Sequence, residues 1–272
     1  MIKTMPIGDK TFKAAFKSYS RTCNLTVKIS RLSGGRIGVP DHVFWGCILF
    51  TRLSVISRSL KKLLDHESAK EYKDDWDYAS AFSLTRNIME CYQTLFYLSF
   101  DDVSEAELKA RKALFNVHDY YSRKQFFSFF PENFNGEREN IEIENLVLDQ
   151  LKNSEYFQTL DEKTQKQYLK GGSAFFINRE EIEEKEGMER QTFKYWYKFL
   201  SSNTHSYPMG FFRMVDCDRG TGVYSEVEES YCAMALELSE SYLIRGCINM
   251  LNIFPDILER MSPQEKQLLH IN

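Results

Sequence analysis

Residues 82–100, FSLTRNIMECYQTLFYLSF, constrain this chain more than any other stretch. On a helical wheel of about 100° per residue, Leu84, Ile88, Cys91, Leu95 and Leu98 form one stripe, and Phe82, Met89, Phe96 and Phe100 cover the other side. A helix that is apolar on both sides has to be surrounded, so the segment predicts a helical bundle with itself at the centre.

The rest of the chain carries the same helical period. From Pro40, which with Asp41 suits a first turn, the apolar positions Phe44, Cys47, Ile48, Leu53, Ile56, Leu60, Leu63 and Leu64 recur at helical spacing. Ser104 followed by Glu107 is a capping-box signature that opens a third helix, expected to run to the aromatic stretch FFSFF and to stop at Pro131. A further helix is expected over 189–204, ended by Pro208 and Gly210, and a last long one over 226–253. The segment 211–224, with Gly220 and Gly222, is the one place where a short hairpin is plausible. The predicted fold is therefore all-α, an antiparallel bundle of about five long helices with short accessory helices.

Two stretches depart from that pattern. Residues 1–37 are basic, broken by Gly34 and Gly35, and show only a short helical pattern near Phe12 and Tyr19, which reads as a loosely attached arm. Residues 133–187 are more polar and hold shorter helices, an excursion within a single domain spanning 38–272.

Composition narrows the chemistry. With 35 basic and 39 acidic residues the formal charge is −4, so any pull toward nucleic acid must come from a local patch. The 21 Phe, 15 Tyr and 3 Trp predict a core built from rings. The 6 cysteines form no CxxC pair and read as buried thiols of a reduced cytoplasmic protein. No secretory leader is evident, and Arg52 interrupts the best apolar run, so no membrane span is expected. None of His42, His66, His118, His205 or His270 follows a Glu by three residues, and no metal or cofactor is expected.

The candidate site residues come from three helices. Arg86, Glu90 and Gln93 lie on the second apolar side of the central helix, and Arg86 and Glu90, four apart, are neighbours. A part-buried Arg–Glu pair carries a desolvation penalty, so it either fixes helix register or lines a polar pocket. Arg245 on the last long helix falls where it could meet Glu90 across the bundle. In YKFLSSNTHSYP, residues 197–208, Ser201 and His205 stand four apart near a helix end, where the dipole favours a charged imidazole. Lys198 and Asn203 flank them.

Three segments, VPDHVFWGCILFTRLSVISRSLKKLL, SAFSLTRNIMECYQTLFYL and YKFLSSNTHSYP, together resemble a bacterial all-helical family, itself a domain of unknown function, number five-six-seven-seven. Its recurring features, Arg-x-x-x-Glu on an apolar helix and a later Ser-x-x-x-His, match Arg86, Glu90, Ser201 and His205. The resemblance covers about residues 38–250. It implies a helical bundle in which the two motifs converge, and no activity. A weaker similarity is to the HEPN superfamily, helical bundles that include metal-independent ribonucleases of toxin and phage-defence systems. Where those proteins carry an Arg before the His, this chain has Lys198, which lacks the guanidinium fork.

Two functions remain open. One is a non-enzymatic binding or regulatory module with a polar pocket. The other is an enzyme acting on RNA or a nucleotide, with His205 as acid-base, Arg86 and Glu90 beside it, and Lys198, Ser201, Asn203, Gln93 and Arg245 holding ligand. The candidate partners are RNA, a nucleotide or a small polar ligand, and not a membrane; a homodimer is one candidate assembly, and the sequence does not fix the oligomeric state.

Overall fold

The structure is a computed structural model that describes residues 8, 10–37, 39–66, 75–129, 137–205, 207–217 and 220–271. Among these the secondary structure is helical, with no strand. The chain divides into two compact units: Met1–Phe100 with Arg179–Asn272, and Asp101–Asn178.

The first unit opens with α1 (Phe12–Ser33), whose N-terminus is capped by the Thr11 hydroxyl accepting from the Ala14 N–H. The loose arm expected at 1–37 is instead largely a core helix, and Ala15, Tyr19, Cys23 and Ile29 are fully buried. Its short apolar pattern was hard to read because the buried face mixes Thr22 and Thr26 with the hydrophobic residues. Helix α2 (Asp41–Leu63) packs on α1 and on α3 (Tyr78–Leu95). It buries Val43, Phe50, Leu53 and Leu60 and leaves Phe44, Trp45, Ile48 and Val55 exposed. By length and composition α2 is long and apolar enough to cross a membrane, contrary to what Arg52 suggested.

Helix α3 lies among α2 and two helices from later in the chain, α9 (Arg190–Thr204) and α11 (Glu226–Ile253), as its two apolar sides require. Phe82, Ile88, Met89, Leu95 and Phe96 are all buried, and each such side chain contributes about 1.5–3 kcal/mol. The helix ends in a π-helical turn, Phe96–Phe100.

The second unit holds α4 (Glu105–Ser128), α5 (Glu137–Lys152), α6 (Glu155–Gln158) and α7 (Glu162–Tyr168). The Ser104 hydroxyl caps α4 as expected, accepting from the Glu107 N–H at 3.1 Å. The Glu107 carboxylate accepts from Arg111 Nε at 3.0 Å, and Asp101 pairs with the same fully buried guanidinium at 2.7 Å. Pro131, expected to stop this helix, lies outside the described residues. The unit begins well before the excursion expected at 133–187, because Ala113, Leu114 and Val117 of α4 share one core with Leu151 and Phe157.

The chain then returns to the first unit with α8 (Arg179–Lys185), α9 (Arg190–Thr204) and α10 (Pro208–Cys217). Pro208 opens α10 rather than merely ending α9, and the helix occupies half of the segment expected as a hairpin. Proline suits a first helical position, where its missing N–H needs no partner. Helix α11 (Glu226–Ile253), capped by Ser225, is buried almost all round from Cys232 to Cys247. It runs against α1 and α3. Glu240, 3% exposed, accepts from Ser18 at 2.7 Å and Thr22 at 2.8 Å, tying α11 to α1. Two short helices, α12 (Pro255–Leu258) and α13 (Pro263–Leu268), finish the unit, the latter with a full capping box of Ser262 and Glu265.

Candidate functional site

The helical rise puts Arg86 one turn before Glu90 on α3, and Tyr197, Ser201 and His205 four apart along one face of α9. Because α9 packs on α3, these two series meet. Arg86 Nε donates to Glu90 Oε1 at 3.0 Å, its Nη2 donates to the Tyr197 hydroxyl at 2.9 Å, and its Nη1 lies 2.9 Å from His205 Nε2. The guanidinium also stacks over the Tyr197 ring at 4.8 Å. The Arg86 side chain is 15% exposed and Glu90 29%, whereas His205 is exposed.

A guanidinium only donates, so His205 Nε2 must accept, which assigns the imidazole proton to Nδ1. His205 is also the C-terminal cap of α9, its N–H bonding Ser201 O at 3.1 Å, and its ring sits 5.6 Å from that of Tyr207. Ser201 belongs to the same face, but its hydroxyl donates to Tyr197 O at 2.6 Å within the helix.

Lys198 and Asn203 face elsewhere. They line a pocket of about 440 Å³ together with Tyr78, Tyr195, Phe199, Gly210, Tyr231 and Met234. Asn203 Nδ2 donates to Phe199 O at 3.0 Å.

Gln93 and Arg245 form a third group. The expected meeting of Arg245 with Glu90 does not occur. Helix α8 and the turn after it supply nearer carboxylates, and Arg245 Nη1 is 3.2 Å from Glu183 Oε2 and 3.7 Å from Glu186 Oε2. Gln93 links the same cluster, donating to Glu183 at 3.0 Å and accepting from Arg179 at 2.8 Å. Arg245 also lies over the rings of Tyr92 at 4.9 Å and Tyr242 at 4.3 Å. Burial works against its charge, but Glu183, with the two tyrosines and Glu186, outweighs it and pushes the pKa upward. Burial raises both tyrosines well above their ordinary range. The cluster holds α8 against the core, with Arg245 Nη2 and the Tyr242 hydroxyl buried and without a hydrogen-bond partner among the described residues.

The three expected catalytic residues thus converge, while the ligand-binding set divides among three places. Tyr197 was missed as a site residue, although its spacing from Ser201 and His205 marks the same face. Glu183 and Glu186 were hidden in an acidic run, REEIEEKE, that reads as a solvated helix. Among the described residues no group of His, Cys, Asp or Glu could hold a metal ion.

Fold and site together define an all-helical protein with a surface Arg–His–Tyr–Glu cluster and no metal-binding group among the described residues. The chain belongs to a family of unknown function, DUF5677, whose model matches residues 43–222. That span contains Arg86, Glu90, Tyr197, Ser201 and His205, and it excludes α11 with Arg245. No curated protein and no solved structure matches the chain.

Proposed function

We propose that this chain is a non-enzymatic binding module that holds an anionic group, a phosphate or carboxylate, where Arg86 meets His205. The observation that carries this reading is the pairing of a guanidinium, fixed by Glu90 and Tyr197, with an exposed imidazole 2.9 Å away. A positioned guanidinium keeps an N–H on each of Nη1 and Nη2 for a bidentate oxyanion, and the imidazole stands exposed beside it. Two groups that chemistry would call on are already engaged. The Ser201 hydroxyl donates to Tyr197 O and the Glu90 carboxylate accepts from Arg86. Cys23, Cys47, Cys91, Cys232 and Cys247 are free thiols, which supports a reducing cytoplasmic setting.

Calorimetric titration with inorganic phosphate and with a short oligouridylate tests the reading. Binding should be present in the wild type and reduced at least tenfold in both Arg86→Gln and His205→Ala. Equal binding by all three proteins would remove it.

A second reading, metal-independent cleavage of RNA in the manner of HEPN-like ribonucleases, is favoured by the exposure of the His205 ring. Arg86 would grip the phosphodiester and His205 would transfer the proton. Comparing cellular RNA after expression of wild type and His205→Ala decides it, because identical RNA profiles leave only the binding reading.

A further inference from the structure

The pocket that takes in Lys198 and Asn203 uses a different face of α9 from the one that carries Tyr197 and meets Arg86 of α3, and its lining has its own chemistry. Four of its eight lining residues are aromatic: Tyr78, Tyr195, Phe199 and Tyr231. Three of these rings are held edge to face. Phe199 meets Phe82 at 5.0 Å and Tyr231 at 5.8 Å, and Tyr231 meets Tyr78 at 5.1 Å. A ligand therefore does not have to order them. Tyr195, 58% exposed, stacks nearly parallel to Phe199, at 6° and 6.1 Å, and carries the aromatic lining to the surface.

The polar groups are few and directional. Lys198 is exposed and makes no ion pair among the described residues, so the rim carries an unneutralised cation. The Asn203 amide is held by its bond to Phe199 O, which leaves its oxygen and second N–H to meet a hydrogen-bonding edge. Gly210 closes the remaining wall. A Cβ there would stand 2.6 Å from Ser202 O, so α10 can approach α9 this closely only with glycine. A volume of about 440 Å³ lies in the usual range for small-ligand sites.

We propose that this pocket binds a planar heteroaromatic ring bearing an anionic group. The ring stacks on Phe199 and Tyr195, its heteroatom edge meets Asn203, and its charge meets Lys198. The proposal does not depend on the anion reading at Arg86.

Titration of the full chain carrying Arg86→Gln, so that phosphate held at the anion site proposed above does not count, with adenosine monophosphate, uridine monophosphate and indole-3-carboxylate tests it, with adenosine and inorganic phosphate as the ring-only and charge-only probes. At least one charged ring should bind at least tenfold more tightly than either partial probe. A preference for the monophosphates names a nucleotide as the source, and a preference for the carboxylate names a heteroaromatic acid. Lys198→Ala and Tyr195→Ala alter exposed side chains, so the fold, checked by circular dichroism, should be kept while binding falls at least tenfold. Silence from all three charged rings overturns the proposal. So does binding that survives both substitutions, or phosphate alone binding as tightly as the rings.

Discussion

Arg86 and His205 lie 119 residues apart in the chain, yet Nη1 of the first is 2.9 Å from Nε2 of the second. The contact requires a neutral imidazole, because a protonated Nε2 would face a guanidinium that has no lone pair to offer. It joins the centre of the bundle to the end of α9, and through it the two sequence motifs touch.

Replacing its two partners should separate stability from binding. Arg86→Gln leaves Glu90 and the Tyr197 hydroxyl without their shared partner, and a loss of about 1–3 kcal/mol in urea unfolding is expected. His205→Ala alters an exposed side chain and should stay within about 0.5 kcal/mol of wild type. Both should lose phosphate binding. A large stability loss in His205→Ala would make the residue structural instead.

The buried Arg245 cluster should behave differently. Glu183→Gln leaves a guanidinium that is only 10% exposed without its nearest carboxylate, and about 3–5 kcal/mol is the expected loss in chemical denaturation. Combining it with Arg245→Met should recover much of that, since the unpaired charge goes with the second change. Additive losses would show that the two side chains are not coupled.

Close approach of α9 and α10 predicts a glycine contrast. Gly210→Ala sets a Cβ 2.6 Å from Ser202 O, so a backbone shift costing about 1–3 kcal/mol should appear in thermal melts. Gly172→Ala meets nothing within 4 Å and should melt like wild type.

Thiol chemistry supplies a pH prediction. Burial pushes the Cys91 thiol up to about 11 and Cys247 up to about 12, so both remain protonated at pH of about 8. Native protein treated with iodoacetamide and mapped by mass spectrometry should be modified at part-exposed Cys47 before either of them, and at both in urea. The folded state keeps protons that the unfolded chain releases near the ordinary value of 9.0, so stability should decline as pH rises past it. Early alkylation of Cys247 would contradict its burial.

The central helix was legible because its two apolar sides leave only one kind of surroundings, and Phe82, Met89 and Phe96 are buried as the wheel requires. Convergence of Arg86, Glu90 and His205 was legible only through the resemblance, since no periodicity links α3 to α9. Helix α1 was underestimated because Thr22 and Thr26 look solvated until Glu240 and the Thr22 carbonyl are seen to satisfy their hydroxyls. Arg245 was assigned the wrong carboxylate for a similar reason. A wheel orders residues around one axis and carries no information on which neighbouring helix comes closest, and Glu183 arrives on a short one.

The unit that carries both sites is assembled from two stretches of sequence, with α1 locked to α11 through Glu240. During synthesis on the ribosome, α1, α2 and α3 emerge long before the helix that covers them. Their apolar faces must wait through the making of residues 101–178, a stretch with a core of its own that can close meanwhile. Slowing translation within 101–178 would lengthen that wait, and the nascent first hundred residues would be the part at risk of aggregation.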